Sequence, residues 1–234
     1  MIRKLKEKGI LFVAASGRQY QSMRRLLEPV CEDLIFIAEN GGYVVCRDRE
    51  IDCCGFERPL FEEIVRYLRE QENGYLLVNT PGAAYMDCGD QAFIEQMRKG
   101  YKLKLEPVGD VLQVREPVVK VALYCREDAA AAAKPAKERF SGRVHVMAAG
   151  KNWVDFVKEG VDKGAALKKI QRLMKITKEE TMAFGDNHND LGMLACAEES
   201  YAVENAREEV KAAAKYIADS NTRDGVLKVL RTLL

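Results

Sequence analysis

The sequence predicts an α/β protein whose parallel sheet and flanking helices are interrupted by an inserted α+β unit. Three observations carry this. Near both ends, apolar runs of strand length alternate with helix-period segments, the pattern of βα units. ILFVAA (10–15), LIFIA (34–38) and TMAF (181–184) lack polar alternation, as strands covered on both faces require. Between them, short apolar runs are joined by hairpin-like turns, which predicts a separate antiparallel sheet. The expected borders are 1–46 for the first part of the core, 47–156 for the insert and 157–234 for the second part.

Taken in order, Met1 to Lys8 reads as the end of an amphipathic helix. Ile2 and Leu5 share a face, and Gly9 suits a left-handed cap. Ile10 to Ala15 is the first buried strand, and a helix follows through Tyr20, Met23, Leu26 and Leu27. Leu34 to Ala38 is the second buried strand, closed by Glu39-Asn40-Gly41-Gly42, with a short strand at Tyr43 to Cys46. In the insert, helices are expected at Leu60 to Glu70, Phe93 to Met97 and Asp128 to Phe140, the last interrupted or kinked at Pro135. Strands are expected at Tyr75 to Val78, Ala84 to Met86, Val118 to Tyr124, Arg143 to Met147 and Trp153 to Val157. The last third alternates again: helices at Lys163 to Met174, Leu191 to Ala197, Glu208 to Lys215 and Val226 to Leu233, and strands at Thr181 to Phe184, Tyr201 to Val203 and Tyr216 to Ala218.

Composition narrows the function. In 234 residues, 37 Lys and Arg offset 36 Asp and Glu, for a formal charge of +1. That balance excludes a broadly basic nucleic-acid coat. The chain is 47% hydrophobic and 31% charged, a composition able to bury a core. No apolar run approaches a bilayer span. The start has too short an apolar run for a signal peptide. Seven scattered cysteines without a CxxC pair read as reduced thiols in a cytoplasmic protein.

Ligands of open α/β sheets sit at the carboxyl ends of strands. Ser16, Asn40, Asp186, Asn189 and Asp190 stand there. Ser16-Gly17-Arg18 offers a hydroxyl and backbone N–H groups that suit an anion, although a helix-capping serine explains the same residues. In GDNHND (185–190) two carboxylates are four residues apart. Hard oxygen ligands of this kind suit Mg²⁺, which takes one or two carboxylates plus water and phosphate oxygens. An EF-hand reading fails, because His188 and Leu191 stand where that loop needs Asp or Asn and Gly. His188 is expected to be a solvated loop histidine. Lys163 starts a helix, where a cation opposes the dipole, which suggests a carboxylate or phosphate partner. GxxxxGK[ST], GxGxxG and GxSxG motifs are absent.

Together these segments resemble the haloacid dehalogenase superfamily, most closely its Cof-type phosphatases with an inserted cap (subclass IIB). LKEKGILFVAASGR is similar to that family's second motif, AENGG to its NG turn, GVDKGAAL to its third motif and FGDNHNDLGML to its fourth. DGV (224–226) is also similar. The resemblance implies a Rossmann-like core and Mg²⁺-dependent hydrolysis of small phosphorylated metabolites such as sugar phosphates. It implies that Asp186 binds Mg²⁺, that Ser16, Gly17 and Asn189 bind the phosphoryl group, and that Asp190 holds Lys163.

The family's opening DxDGT-type motif, which carries the nucleophile, has no counterpart here; Met1 to Leu11 contains no Asp. A strand, loop and most of a helix, roughly 30–40 residues on ordinary element lengths, are the missing equivalent. That strand is expected beside Ile10–Ala15 and near Thr181–Phe184. Its absence leaves two edges open to self-association. Three functional readings follow: a phosphatase, a phosphate-binding relative without turnover, and an α/β interaction module.

Overall fold

A computed structural model describes residues 1–71, 74–126 and 128–234. The elements in chain order are α1 (Ile2–Glu7), β1 (Phe12–Ala15), α2 (Tyr20–Leu26), β2 (Leu34–Ala38), β3 (Tyr43–Cys46), β4 (Arg49–Cys53) and α3 (Arg58–Glu70). There follow β5 (Gly74–Asn79), β6 (Ala84–Met86), α4 (Gln91–Gly100), β7 (Leu105–Pro107), β8 (Lys120–Cys125), α5 (Ala129–Arg139), β9 (Val144–Ala149) and β10 (Trp153–Lys158). The chain closes with α6 (Lys163–Met174), β11 (Met182–Gly185), α7 (Leu191–Ala195), β12 (Glu199–Val203), α8 (Glu208–Ala213), β13 (Tyr216–Ala218) and α9 (Gly225–Arg231).

The strands form three sheets, in the orders β1-β2-β3-β4, β7-β6-β5-β8-β10-β9 and β11-β12-β13. In the first, β1 and β2 are parallel, with Phe12 opposite Leu34, and β3 and β4 add antiparallel strands. The third is parallel throughout. The middle sheet is mainly antiparallel. β1 and β11 are outermost in their sheets, and among the described residues no strand pairs with their free edges.

A single apolar cluster joins the first and third sheets. Ile35, Ile37 and Val44 meet Ala166, Leu167 and Ile170 of α6 and Ala183, Ala202 and Val203 of the third sheet. Thus α6 lies across both half-sheets and packs them into one core. Its start is fixed by Asp162, whose Oδ1 accepts from the Ala165 amide at 2.8 Å, a side-chain N-cap that satisfies an otherwise orphan donor.

The insert sheet is covered on one face by α3 and α5. Phe61, Ile64, Val65 and Leu68 of α3, and Ala129, Ala133 and Ala136 of α5, bury against Val78, Val121, Leu123, Val154 and Phe156. On the other face α4 covers Leu77, Ala84, Met86 and Ala122. The rest of that face (Asn79, Lys120 and Asp155) is left for the core.

Several details differ from the sequence-based expectation, among them an unexpected short strand at Leu105–Pro107. The strand expected from Ile10 begins at Phe12, and Leu11 is exposed. Arg49–Cys53 forms a strand paired with β3, which puts it with the core sheet although it lies inside the 47–156 segment. Here charge and exposure hide a strand whose partner, not its own pattern, defines it. α5 runs unbroken through Pro135. The cost of the missing amide is met within a helix whose small buried face of alanines packs on the insert sheet.

Gly164 lies against Gly192, where α6 crosses α7. A Cβ at Gly164 would stand 2.4 Å from the Gly192 carbonyl carbon. Gly-to-Ala inside a helix ordinarily stabilises by about 0.5–1 kcal/mol. Here overpacking reverses the sign, and Gly164→Ala should destabilise by about 1–3 kcal/mol. Urea unfolding of the two proteins checks this; an unchanged or raised midpoint would contradict the close α6–α7 contact.

Candidate active site

Four turns meet at the carboxyl ends of β1, β2 and β11 and the start of α6. Each is shaped by its sequence. After β1 the chain leaves through Ser16-Gly17-Arg18, with the Ser16 hydroxyl accepting from the Arg18 amide at 3.2 Å. After β2 it turns through Glu39-Asn40-Gly41, where Asn40 is left-handed at φ 57°, a region that Asn tolerates better than most residues. Gly41, at φ +103°, is pressed on the α6 start: a Cβ there would lie 2.3 Å from the Asp162 carbonyl oxygen. After β11, Asn187 caps a single turn reciprocally with Asp190, a capping box.

The centre of the arrangement is the Lys163–Asp190 pair. Lys163 Nζ lies 2.6 Å from Asp190 Oδ1, with side chains 7% and 5% exposed. The other Asp190 oxygen accepts the Asp186 and Asn187 amides at 2.9 and 3.1 Å. Asp190 therefore ties the third sheet's exit turn to the α6 start. These bonds also meet the demand that a buried carboxylate be fully partnered.

Asp186 stands at the site margin, solvent-accessible and without an ion pair among the described residues. Protein atoms around its carboxyl and the neighbouring Asp190 charge push its pKa up. Among the described residues no cluster of three or more His, Cys, Asp or Glu side chains is placed to hold a metal. Asp186 is an accessible carboxylate with no ion pair among the described residues. It fits a hydrated cation such as Mg²⁺, which keeps several waters and completes its shell with substrate oxygens, and not a closed protein cage.

Ser16, Gly17, Asn40 and Asn189 line one end of a cleft of about 230 Å³. Asn189 Nδ2 donates to Asn40 Oδ1 at 2.9 Å. The opposite wall belongs to the insert: Leu77, Asn79, Lys120, Ala122, Trp153 and Asp155. So Ser16, Gly17 and Asn189 share one cavity wall, while Lys163, Asp190 and Asp186 form the adjoining charged turn. His188 is exposed, with Nε2 3.5 Å from Glu209 Oε2. The seven cysteines are all free thiols.

The cleft also holds residues that sequence reasoning misses. Lys120, from β8, lies 2.7 Å from Glu39 Oε2 and 3.5 Å from Asp155 Oδ2. Lone charges at the centre of VVKVALY and WVDFV are the available signal, because a charge in a fully buried strand must have a built partner.

A sequence model of the haloacid dehalogenase-like hydrolases matches residues 1–230. The chain belongs to this family. Among its relatives, the 5-amino-6-(5-phospho-D-ribitylamino)uracil phosphatase YbjI of Escherichia coli is 30% identical over 99% of this chain and 86% of its own. A solved structure from Eubacterium rectale superposes with a TM-score of 0.90 at 31% identity, covering 100% of this chain and 89% of that one. The HAD subclass IIB sugar phosphatase BT4131 shares the fold, with a TM-score of 0.82 at 18% identity over 100% of this chain and 90% of that one. The α/β core with an inserted α+β unit is thus the architecture of this haloacid dehalogenase-like chain. No helix among its described residues is long and apolar enough to cross a membrane.

The Lys163–Asp190 pair makes a direct prediction. Removing one partner leaves an uncompensated buried charge, which costs about 3–5 kcal/mol. Asp190→Ala should destabilise on that scale and Asp190→Asn by less, because the amide oxygen still accepts from the turn. Equilibrium denaturation of both variants measures the difference; equal losses would show that the ion pair, lost in both, carries the stability and that the turn's hydrogen bonds add nothing.

Proposed function

We propose that this chain handles the phosphoryl group in the Mg²⁺-dependent hydrolysis of a small phosphorylated metabolite. One observation carries the reading: a buried, carboxylate-held lysine lies beside an accessible Asp and next to a cleft floor of Ser16, Gly17 and Asn189. In this reading the Ser16 hydroxyl, the turn amides and the Asn189 amide hold the phosphoryl oxygens. Lys163, oriented by Asp190, offsets negative charge on the transferring group. Asp186 would hold Mg²⁺; when bound, the ion supplies further charge neutralisation to the phosphoryl group. The names of the relatives support the substrate class, a phosphorylated sugar or ribityl compound. The cleft's apolar wall at Leu77, Ala122 and Trp153 would cover the leaving group. The reduced thiols suit a cytoplasmic protein.

The reaction also needs a carboxylate nucleophile, and none of this chain's Asp residues has motif support for that role. β1 and β11 are outermost in their sheets, and an outermost strand presents backbone groups that a further strand can pair with. We propose that the nucleophile comes on a parallel strand seated there. The same edges favour a second reading, in which the chain binds phosphate, or pairs with another copy of itself, without turnover.

Two measurements test this. Saturating Mg²⁺ with inorganic phosphate should raise the melting temperature, since a ligand at 100 times its Kd stabilises the native state by about 2.7 kcal/mol. Asp186→Asn should abolish the Mg²⁺ dependence of that gain. Turnover of p-nitrophenyl phosphate should require that the chain be joined to a DxDGT-bearing strand. Asp186-dependent turnover by the 234 residues alone would overturn the assignment of the nucleophile to a separate strand, and no protection by phosphate would favour an interaction module.

A further inference from the structure

On the insert side of the cleft lies a buried charged group that the phosphate chemistry does not use. Lys120 comes from β8 and Asp155 from the neighbouring β10, both on the insert face turned to the core. Glu39 comes from the turn after β2 and is 1% exposed. The Lys120–Glu39 contact is a charge contact and not a well-directed hydrogen bond: neither Glu39 carboxyl oxygen has a well-aligned donor. Burial pushes the Glu39 pKa up against the pull of Lys120. Burial alone would lower the Lys120 pKa, but the Asp155 and Glu39 carboxylates raise it to about 12.

The hydrogen bonds of this group lead to both halves of the phosphate floor. Lys120 Nζ donates to the Gly17 carbonyl at 2.8 Å. Asn40 Nδ2 donates to Asp155 Oδ2 at 2.9 Å, while Asn40 Oδ1 accepts from Asn189. Main-chain bonds join the same turns, from the Asn40 amide to the Ser16 carbonyl at 3.1 Å and from the Glu39 amide to the Arg18 carbonyl at 3.0 Å. The Ser16–Arg18 turn is therefore held by Lys120, and the Asn189 amide, through Asn40, by Asp155.

Stability alone does not account for this arrangement. Three buried charges with one carboxylate poorly partnered cost desolvation that an apolar contact would avoid, and a buried ion pair is weak evidence of stabilisation. An apolar seam between β8, β10 and the turn would join insert and core as well. What the charged group adds is direction: a bond to one specific carbonyl and one specific amide.

We propose that Lys120 and Asp155 are positioning residues, through which the insert sets the geometry of the core's phosphate floor. The inference rests on the phosphate-site reading above. It gives the insert a second task besides covering substrate: the floor holds its binding geometry only with the insert seated.

The test uses the full chain. Lys120→Met with Glu39→Gln removes one charge of each sign, so the buried net charge is unchanged. Inorganic phosphate binding in the presence of Mg²⁺ should weaken about ten-fold, the order expected when one hydrogen bond to a charged group no longer orients the site. Mg²⁺ binding measured alone, at Asp186, should not change. A folded double variant with wild-type phosphate affinity overturns the proposal, as does an equal loss of both ligands, which marks a general structural defect. Should the double variant fail to fold, Asp155→Ser carries the test. Its Asn189 side-chain amide resonance, two links from the change, should move, and an unmoved resonance overturns the proposal. If the wild type binds no phosphate but Asn189 responds to Asp155→Ser, the phosphatase reading falls and the positioning role stands.

Discussion

The structure depends on a buried ammonium having somewhere to put its charge. Lys163 opens α6, where the helix dipole disfavours a cation, and it is almost wholly removed from water. Only a partnered carboxylate makes that position tenable, and Asp190 is available only because the turn after β11 folds back on its own amides. The pair thereby sets the register between α6 and the third sheet. The Gly164–Gly192 approach follows, since α6 can meet α7 that closely only with its first turn pinned.

α6 in turn joins two separate sheets. β1 and β11 end their half-sheets and share no hydrogen bonds with each other. Edge strands of this kind tend to recruit a partner. The two half-sheets cohere because Leu167 and Ile170 pack against residues from both. Hydrophobic burial is non-directional, so this core fixes proximity well and strand register poorly. The site turns supply the missing direction: Asn40 to Asn189, Asp190 to the Asp186 and Asn187 amides, and the Gly41 turn against Asp162. The polar network that reads as chemistry also aligns the halves.

Much of this is legible in the sequence. Continuous apolar runs mark β2 and β11, and the anomalous lysine at a helix start points to a carboxylate or phosphate partner. The GDNHND run puts its carboxylates at a strand end. What is not legible depends on tertiary pairing. β4 is polar and half exposed, and it is a strand only because β3 offers an edge. Apolar continuity from Ile10 overextends β1, because hydrophobicity cannot tell a buried residue from an exposed one such as Leu11. Lys120 stands 103 positions from Gly17, and Asp155 stands 115 positions from Asn40. Over such distances spacing carries no signal.

Their strands do carry a clue of a different kind. In VVKVALY and WVDFV every neighbour of the charge is apolar, so desolvation is costly at one position only. A solvated surface would remove that cost, but both residues are buried. A lone charge in a buried strand implies a partner fixed elsewhere with opposite sign or a matching dipole. Here Lys120 meets Glu39 at 2.7 Å and Asp155 at 3.5 Å, and the Gly17 carbonyl and Asn40 amide complete the set. Two defects in hydrophobic patterning, one positive and one negative, therefore define a single polar contact between insert and core. The contact falls at the Ser16–Arg18 turn because that is where the core, too, presents backbone polarity outside its strands. Neither surface can bury its polar groups without the other, which makes the seating of the insert and the ordering of the floor one event.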